Sequence, residues 1–185
     1  MGYLSGLTLY LAGPIDNFEG EDWRTKYYKN FKDLGLKTYS PMLKPSWISP
    51  DARVKKLSDK TVKNMSNCTY CGSYVSSKEV RSVCLSMLSH SDIILCYLPK
   101  IFTVGTIDEL FKSDEWFKPI IFVFEKESIV SLYGAELFSR HITTKCFDDA
   151  IKVLKSINTK GINSMFINSG LDSYCRWLPI THKAS

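Results

Sequence analysis

The chain has 185 residues, 44% of them hydrophobic and 23% charged, with a formal net charge of +5. That length suits a single domain (residues 1–185) with an ordinary core, and those shares exclude a disordered or low-complexity chain. The lysines and arginines are spread along the sequence rather than gathered in one stripe, which argues against a nucleic-acid partner and is compatible with a small anionic ligand.

The first residues, Met1-Gly2-Tyr3-Leu4-Ser5-Gly6, hold no basic region followed by an apolar stretch, and Gly13-Pro14 interrupts the first apolar run far short of a bilayer span. A cytoplasmic protein without a membrane segment is expected, and Gly6 breaks the pattern that would make Gly2 a lipidation site. Thr8-Leu9-Tyr10-Leu11-Ala12 is rich in β formers and stops at Gly13-Pro14, so it predicts a buried first strand with a tight turn at its carboxyl end. Trp23, Tyr27, Phe31 and Leu34 recur at helical spacing, predicting a helix over about 20–34 that Gly35 closes.

Leu36-Lys37-Thr38-Tyr39-Ser40 predicts a second strand ended by Pro41. Residues of about 43–78 are polar, broken by two prolines, and have the character of an insertion. Helical periodicity returns at Val80, Val83, Cys84, Met87 and Leu88, after which Ser91-Asp92 opens a continuously apolar strand, Ile93 to Leu98. Gly105-Thr106 precedes a helix over about 107–115, Lys118-Pro119 precedes the strand Ile120 to Phe124, and a weak helix is placed near 127–139. A short last strand over 142–146, an amphipathic helix over 147–157 and a tail over about 158–185 complete the chain.

Strands alternating with helices imply an α/β fold, a single doubly wound parallel sheet covered on both faces. Ligands of such sheets bind beyond the carboxyl ends of the strands, so Gly13 to Asp16 and Thr103 to Glu109 are expected to meet at one cleft.

Six cysteines, at 68, 71, 84, 96, 146 and 175, include several inside apolar runs, where the residue serves as a small hydrophobe, and reduced thiols are expected. Cys68-Thr69-Tyr70-Cys71 has the spacing of half a zinc site, with no second pair to complete it beyond Cys84 or His90, so no metal is assigned.

The segment Tyr10-Leu11-Ala12-Gly13-Pro14-Ile15-Asp16, the pair Trp23-Arg24, and the later run Ser91-Asp92, Gly105-Thr106-Ile107-Asp108-Glu109-Leu110 and Lys118-Pro119-Ile120 together resemble the nucleoside 2-deoxyribosyltransferase family, over about residues 7 to 155. The resemblance implies a flavodoxin-like three-layer sandwich and a glutamate, at the first turn of the helix after a Gly-rich turn, that attacks the anomeric carbon and displaces the base. Glu109 matches that glutamate, and a carboxylate suits an oxocarbenium-like transition state. The helix dipole is expected to hold it ionised. An ordinary acidic residue near a helix start is the alternative, and Asp108 is the local rival, itself otherwise a solvated carboxylate.

Tyr10 matches a tyrosine that orients the nucleophile, against a plain buried aromatic. Gly13 lets the backbone approach a ligand or simply ends the strand, and Asp16 holds a sugar hydroxyl or caps the turn. The resemblance implies that Trp23 and Arg24 face the substrate mouth, with Arg24 suited to a 5′-phosphate; the alternative is a core tryptophan beside a solvated arginine.

Two family aspartates are absent. Cys84 occupies the slot of one that contacts the substrate and assists proton delivery, and about Thr103 occupies the other. Hence two functional expectations stand: transfer or hydrolysis at the N-glycosidic bond of a 2′-deoxynucleoside or its 5′-monophosphate, or a degraded nucleotide-binding sensor or assembly protein. No cofactor is implied, and the resemblance implies a homo-oligomer with shared active sites.

Overall fold

The computed structural model describes residues 2–14, 23–41, 77–99, 104–124 and 141–161, with the backbone of 48–50, 66–68 and 74–75. In chain order the elements are β1 (Thr8–Ala12), α1 (Trp23–Asp33), β2 (Lys37–Tyr39), β3 (Ile48–Pro50), β4 (Ser66–Cys68), β5 (Tyr74–Val75), α2 (Ser77–Ser89), β6 (Ile93–Leu98), α3 (Val104–Glu115), β7 (Ile120–Phe124), β8 (His141–Thr144) and α4 (Phe147–Lys160). The expected weak helix near 127–139 lies outside the described residues.

Five strands form one parallel sheet in the order β2-β1-β6-β7-β8. Counted within that sheet alone, this is the 2-1-3-4-5 order of flavodoxin-like folds, and the connections reverse direction between β1 and β6. Within the predicted insertion, β3, β4 and β5 pair antiparallel as a separate small sheet. Those strands are only two or three residues long, too short for periodicity to announce them.

Alternation along the strands divides the core between two faces. Leu9, Leu11, Ile93, Leu95, Ile121 and Val123 meet Phe31 of α1 and Ile151, Leu154 and Ile157 of α4. Tyr10, Ala12, Ile94, Cys96, Leu98, Ile120 and Phe122 meet Leu88 of α2 and Leu110 of α3 on the other. Both faces being covered explains why β1, β6 and β7 are nearly continuous in hydrophobicity.

Gly35, with φ 76°, ends α1 as its sequence position predicts: its amide donates to Lys32 O and the Leu36 amide to Phe31 O, the paired bonds of a Schellman motif. Ser91-Asp92 lies at the amino end of the sheet, away from the expected cleft. There the Thr8 amide donates to Asp92 Oδ2 at 2.9 Å and the Asp92 amide to Thr8 O at 2.8 Å, pinning β1 against β6.

Candidate active site

β1 and β6 end side by side at the reversal point, and the loop after β1 is held there by an arginine. Arg24 is buried, and its guanidinium donates to three carbonyls: Leu11 O at 3.2 Å, Gly13 O at 2.8 Å and Pro14 O at 3.2 Å. It also lies 4.5 Å from the centroid of the Trp23 ring. The expectation of a solvated arginine is therefore corrected: the carbonyls that a tight turn leaves facing inward need a donor, and the fork supplies one to each.

Gly13 has φ 147°, and a side chain there would bring its Cβ to 3.1 Å from Tyr97 O. The close approach is thus to β6, and both the dihedral and the crowding select glycine. Trp23 is a core residue, stacked on Phe147 at 4.9 Å and edge-on to Tyr97 at 5.8 Å. Its buried Nε1 meets no acceptor among the described residues.

On the opposite face, Tyr10 sends its hydroxyl toward α3, whose buried stripe is Thr106, Glu109, Leu110 and Ser113. The Tyr10 hydroxyl donates to Glu109 Oε1 at 2.7 Å, and both groups are buried. Cys84, buried on α2, lies within hydrogen-bonding reach of the same hydroxyl. Three of the residues singled out in the sequence, Tyr10, Cys84 and Glu109, therefore meet at one point, contributed by β1, α2 and α3.

The helix start and the charge state of Glu109 both differ from expectation. α3 begins at Val104, so Gly105 and Thr106 lie inside its first turn rather than ahead of it, and Glu109 sits in the second turn. Glycine is cheap in a first turn, whose amides have no intrahelical partner in any case. Burial raises the Glu109 pKa to about 7; the Tyr10 hydrogen bond and the charge of Arg24 oppose that rise, and the charge of Asp108 adds to it. The dipole was expected to keep this carboxyl ionised, but its influence fades beyond the first turn and desolvation wins.

Asp108 points to the outer surface, where Arg81 of α2 grips it bidentately, Nε to Oδ2 at 2.7 Å and Nη2 to Oδ1 at 2.8 Å. This pairing holds the Asp108 carboxyl below its ordinary range. Arg81 escaped the sequence reading because an ion pair between two helices depends on their packing, which no local spacing encodes. Asp16, Thr103 and Cys71 lie outside the described residues, and Cys68 is described by its backbone alone. Among the described residues no cluster of His, Cys, Asp and Glu suits a metal ion.

Neither a protein-family model nor a characterised protein matches the sequence. Solved structures do. A 2-deoxyribosyltransferase from the psychrotolerant bacterium Bacillus psychrosaccharolyticus superposes with a TM-score of 0.53 at 20% identity, over 80% of this chain and 95% of that one. A 2-deoxyribosyltransferase from Leishmania mexicana gives 0.40 at 17% identity over 64% of each chain. A CMP N-glycosidase from Clostridium botulinum gives 0.40 at 13% identity, over 80% of this chain and 98% of that one. The first of these shows that the chain has the same α/β fold.

Proposed function

We propose that the chain belongs to the nucleoside 2-deoxyribosyltransferase family and cleaves or exchanges the N-glycosidic bond of a 2′-deoxynucleoside or its 5′-monophosphate, with Glu109 as nucleophile. The observation that carries this reading is the buried 2.7 Å hydrogen bond from Tyr10 to Glu109, beside the reversal point of a sheet whose fold is that of a bacterial 2-deoxyribosyltransferase.

Glu109 Oε1 takes the Tyr10 proton donor, and Oε2 receives no hydrogen bond among the described residues. Oε2 is thus the oxygen available to C1′ of the sugar. As the Oε2–C1′ bond forms, the C1′–N bond breaks, its electron pair goes to the base nitrogen, and the departing base takes up a proton from solvent. A second base nitrogen or a water then attacks C1′, gives up its proton to solvent and releases Glu109 as carboxylate, giving transfer or hydrolysis. Burial, then the neighbouring Glu109 and Cys84, push the Tyr10 phenol far above its ordinary range, so it stays a neutral donor that orients the nucleophile.

In this reading Cys84 and Thr106 stand beside Glu109 in the cleft, and Gly13 and Gly105 shape the backbone around it. Arg24 acts through the loop it holds and the charge it lends Glu109, with Trp23 packed behind that loop and Asp108 beside Glu109 on the outer side. The expected sugar contact of Asp16 lies outside the described residues. No helix among the described residues is long and apolar enough to cross a membrane, which is compatible with a cytoplasmic enzyme. A homo-oligomer with shared sites belongs to the same proposal.

The test is product analysis by mass spectrometry after incubation with mixed deoxynucleosides, deoxynucleotides and free bases. Turnover is expected, with an adduct on the Glu109 peptide when a 2-fluoro sugar slows both steps. Glu109→Gln is expected to retain the fold by circular dichroism while losing several orders of magnitude in rate; a near-parental rate overturns the assignment. Cys84 favours a second reading, a nucleotide-binding sensor, because a thiol replaces a proton-donating aspartate. Binding of a deoxynucleotide without turnover or adduct is its signature.

A further inference from the structure

Tyr10 from β1 hydrogen-bonds Glu109, and Cys84 of α2 reaches it through the Tyr10 hydroxyl. The charges that act on Glu109 are those of Arg24 from α1 and Asp108 from its own helix, with the Cys96 thiol of β6 also within electrostatic range. Arg24 offsets negative charge from the buried side. Asp108 is the unfavourable neighbour, and Arg81 is what it is paired with. Exposed ion pairs ordinarily contribute little, and here the side chains of Arg81 and Asp108 keep 50% and 30% of their surface. Two parallel bonds from one planar fork are the exception to that rule. The fork also spans the two helices that bring Cys84 and Glu109 together. Arg81 lies one turn before Cys84 on α2, and Asp108 directly precedes Glu109 on α3.

We propose that Arg81 is a positioning residue for the chemistry at Glu109: its fork fixes α2 to α3 so that Cys84, Tyr10 and Glu109 keep one arrangement, and it neutralises Asp108 beside the nucleophile. The inference rests on Glu109 being the reacting group, but its electrostatic half is measurable without any substrate.

The experiment is a carbon-13 NMR titration of the glutamate carboxyls in the whole protein, with Glu109→Gln assigning the resonance. Arg81→Ala leaves Asp108 charged with only the more distant Lys112 to offset it, so Glu109 is expected to titrate higher by roughly half a pH unit. Asp108→Asn removes that charge, and the titration is expected to move lower; the double variant should follow Asp108→Asn. A purely structural clamp would shift both single variants the same way, and that result, or no shift in either, overturns the proposal. Arg81→Lys keeps the charge without the fork, so the titration should stay near parental while kcat falls several-fold at constant KM. An unchanged kcat in that variant overturns the positioning half. Should the parent protein turn over no nucleoside while the two titrations still move oppositely, the glycosyl-transfer reading fails and the Arg81–Asp108–Glu109 coupling stands.

Discussion

Glu109 and Tyr10 are singled out in the sequence by the family resemblance, and the structure brings their side chains together across 99 positions of sequence. The ionisation of Glu109 was not legible, since the depth to which α3 sinks its second turn against β1 and α2 is a property of packing. That depth sets a stability prediction. Glu109 has a folded pKa of about 7 against an ordinary 4.5, so the folded state takes up its proton more readily than the unfolded chain. The sign follows: this contribution is fully present below about pH 4.5 and is lost as pH rises through 7. Glu109→Gln stays neutral throughout, so it is expected to exceed the parent in stability by up to about 3 kcal/mol at pH 8, with the gap closing near pH 4.5. Urea unfolding at both pH values checks this; equal stability at pH 8 would mean the carboxyl is not desolvated. Arg24 teaches the converse, because its charge was plain while its burial and the destination of its fork, carbonyls of β1 and of the turn after it, were not.

At the scale of elements, β6 and β7 were readable to the residue because strands buried on both faces leave an unbroken apolar run between polar ends. α3 was read three residues short because glycine and threonine are weak helix formers in an interior, a preference that costs little at a first turn. The turn after β1 shows how one position constrains two elements. Gly13→Ala would place a methyl at 3.1 Å from the Tyr97 carbonyl of β6, on a backbone with φ 147° that L side chains rarely adopt. The carbonyl that Arg24 binds most closely belongs to this residue. The substitution is therefore expected to cost about 2–3 kcal/mol, and more in activity than in fold, because the loop that Arg24 gathers has to shift. Thermal unfolding beside a rate measurement decides it, and a loss below about 0.5 kcal/mol would show that the turn relaxes freely.

For the whole molecule, β-α alternation announced a parallel sheet, but the strand order, and with it the side-by-side placement of β1 and β6, comes from long-range pairing that no window of sequence contains. The same holds for the outer surface of α3 and its following turn, where Val104, Phe111 and Phe117 keep 87%, 58% and 64% of their surface. Phe117 is also in the left-handed region, φ 55°, because it occupies the position after α3 at which its amide donates to Asp114 O and the Lys118 amide to Ser113 O. Glycine is the residue that such a helix ending favours, and an aromatic ring there strains the backbone. An exposed apolar ring at a strained position is a place where the proposed homo-oligomer can be tested, with the ring taken as a contact between copies. Phe117→Gly then has effects of opposite sign: the isolated chain gains about 1 kcal/mol by relief of the dihedral, while the assembly loses a contact. Light scattering should find the parent at a multiple of 21.1 kDa and the variant shifted toward that mass, with a higher unfolding midpoint at high dilution. A parent protein of 21.1 kDa at micromolar concentration would dismiss the covered ring and leave the strain at Phe117 without a use.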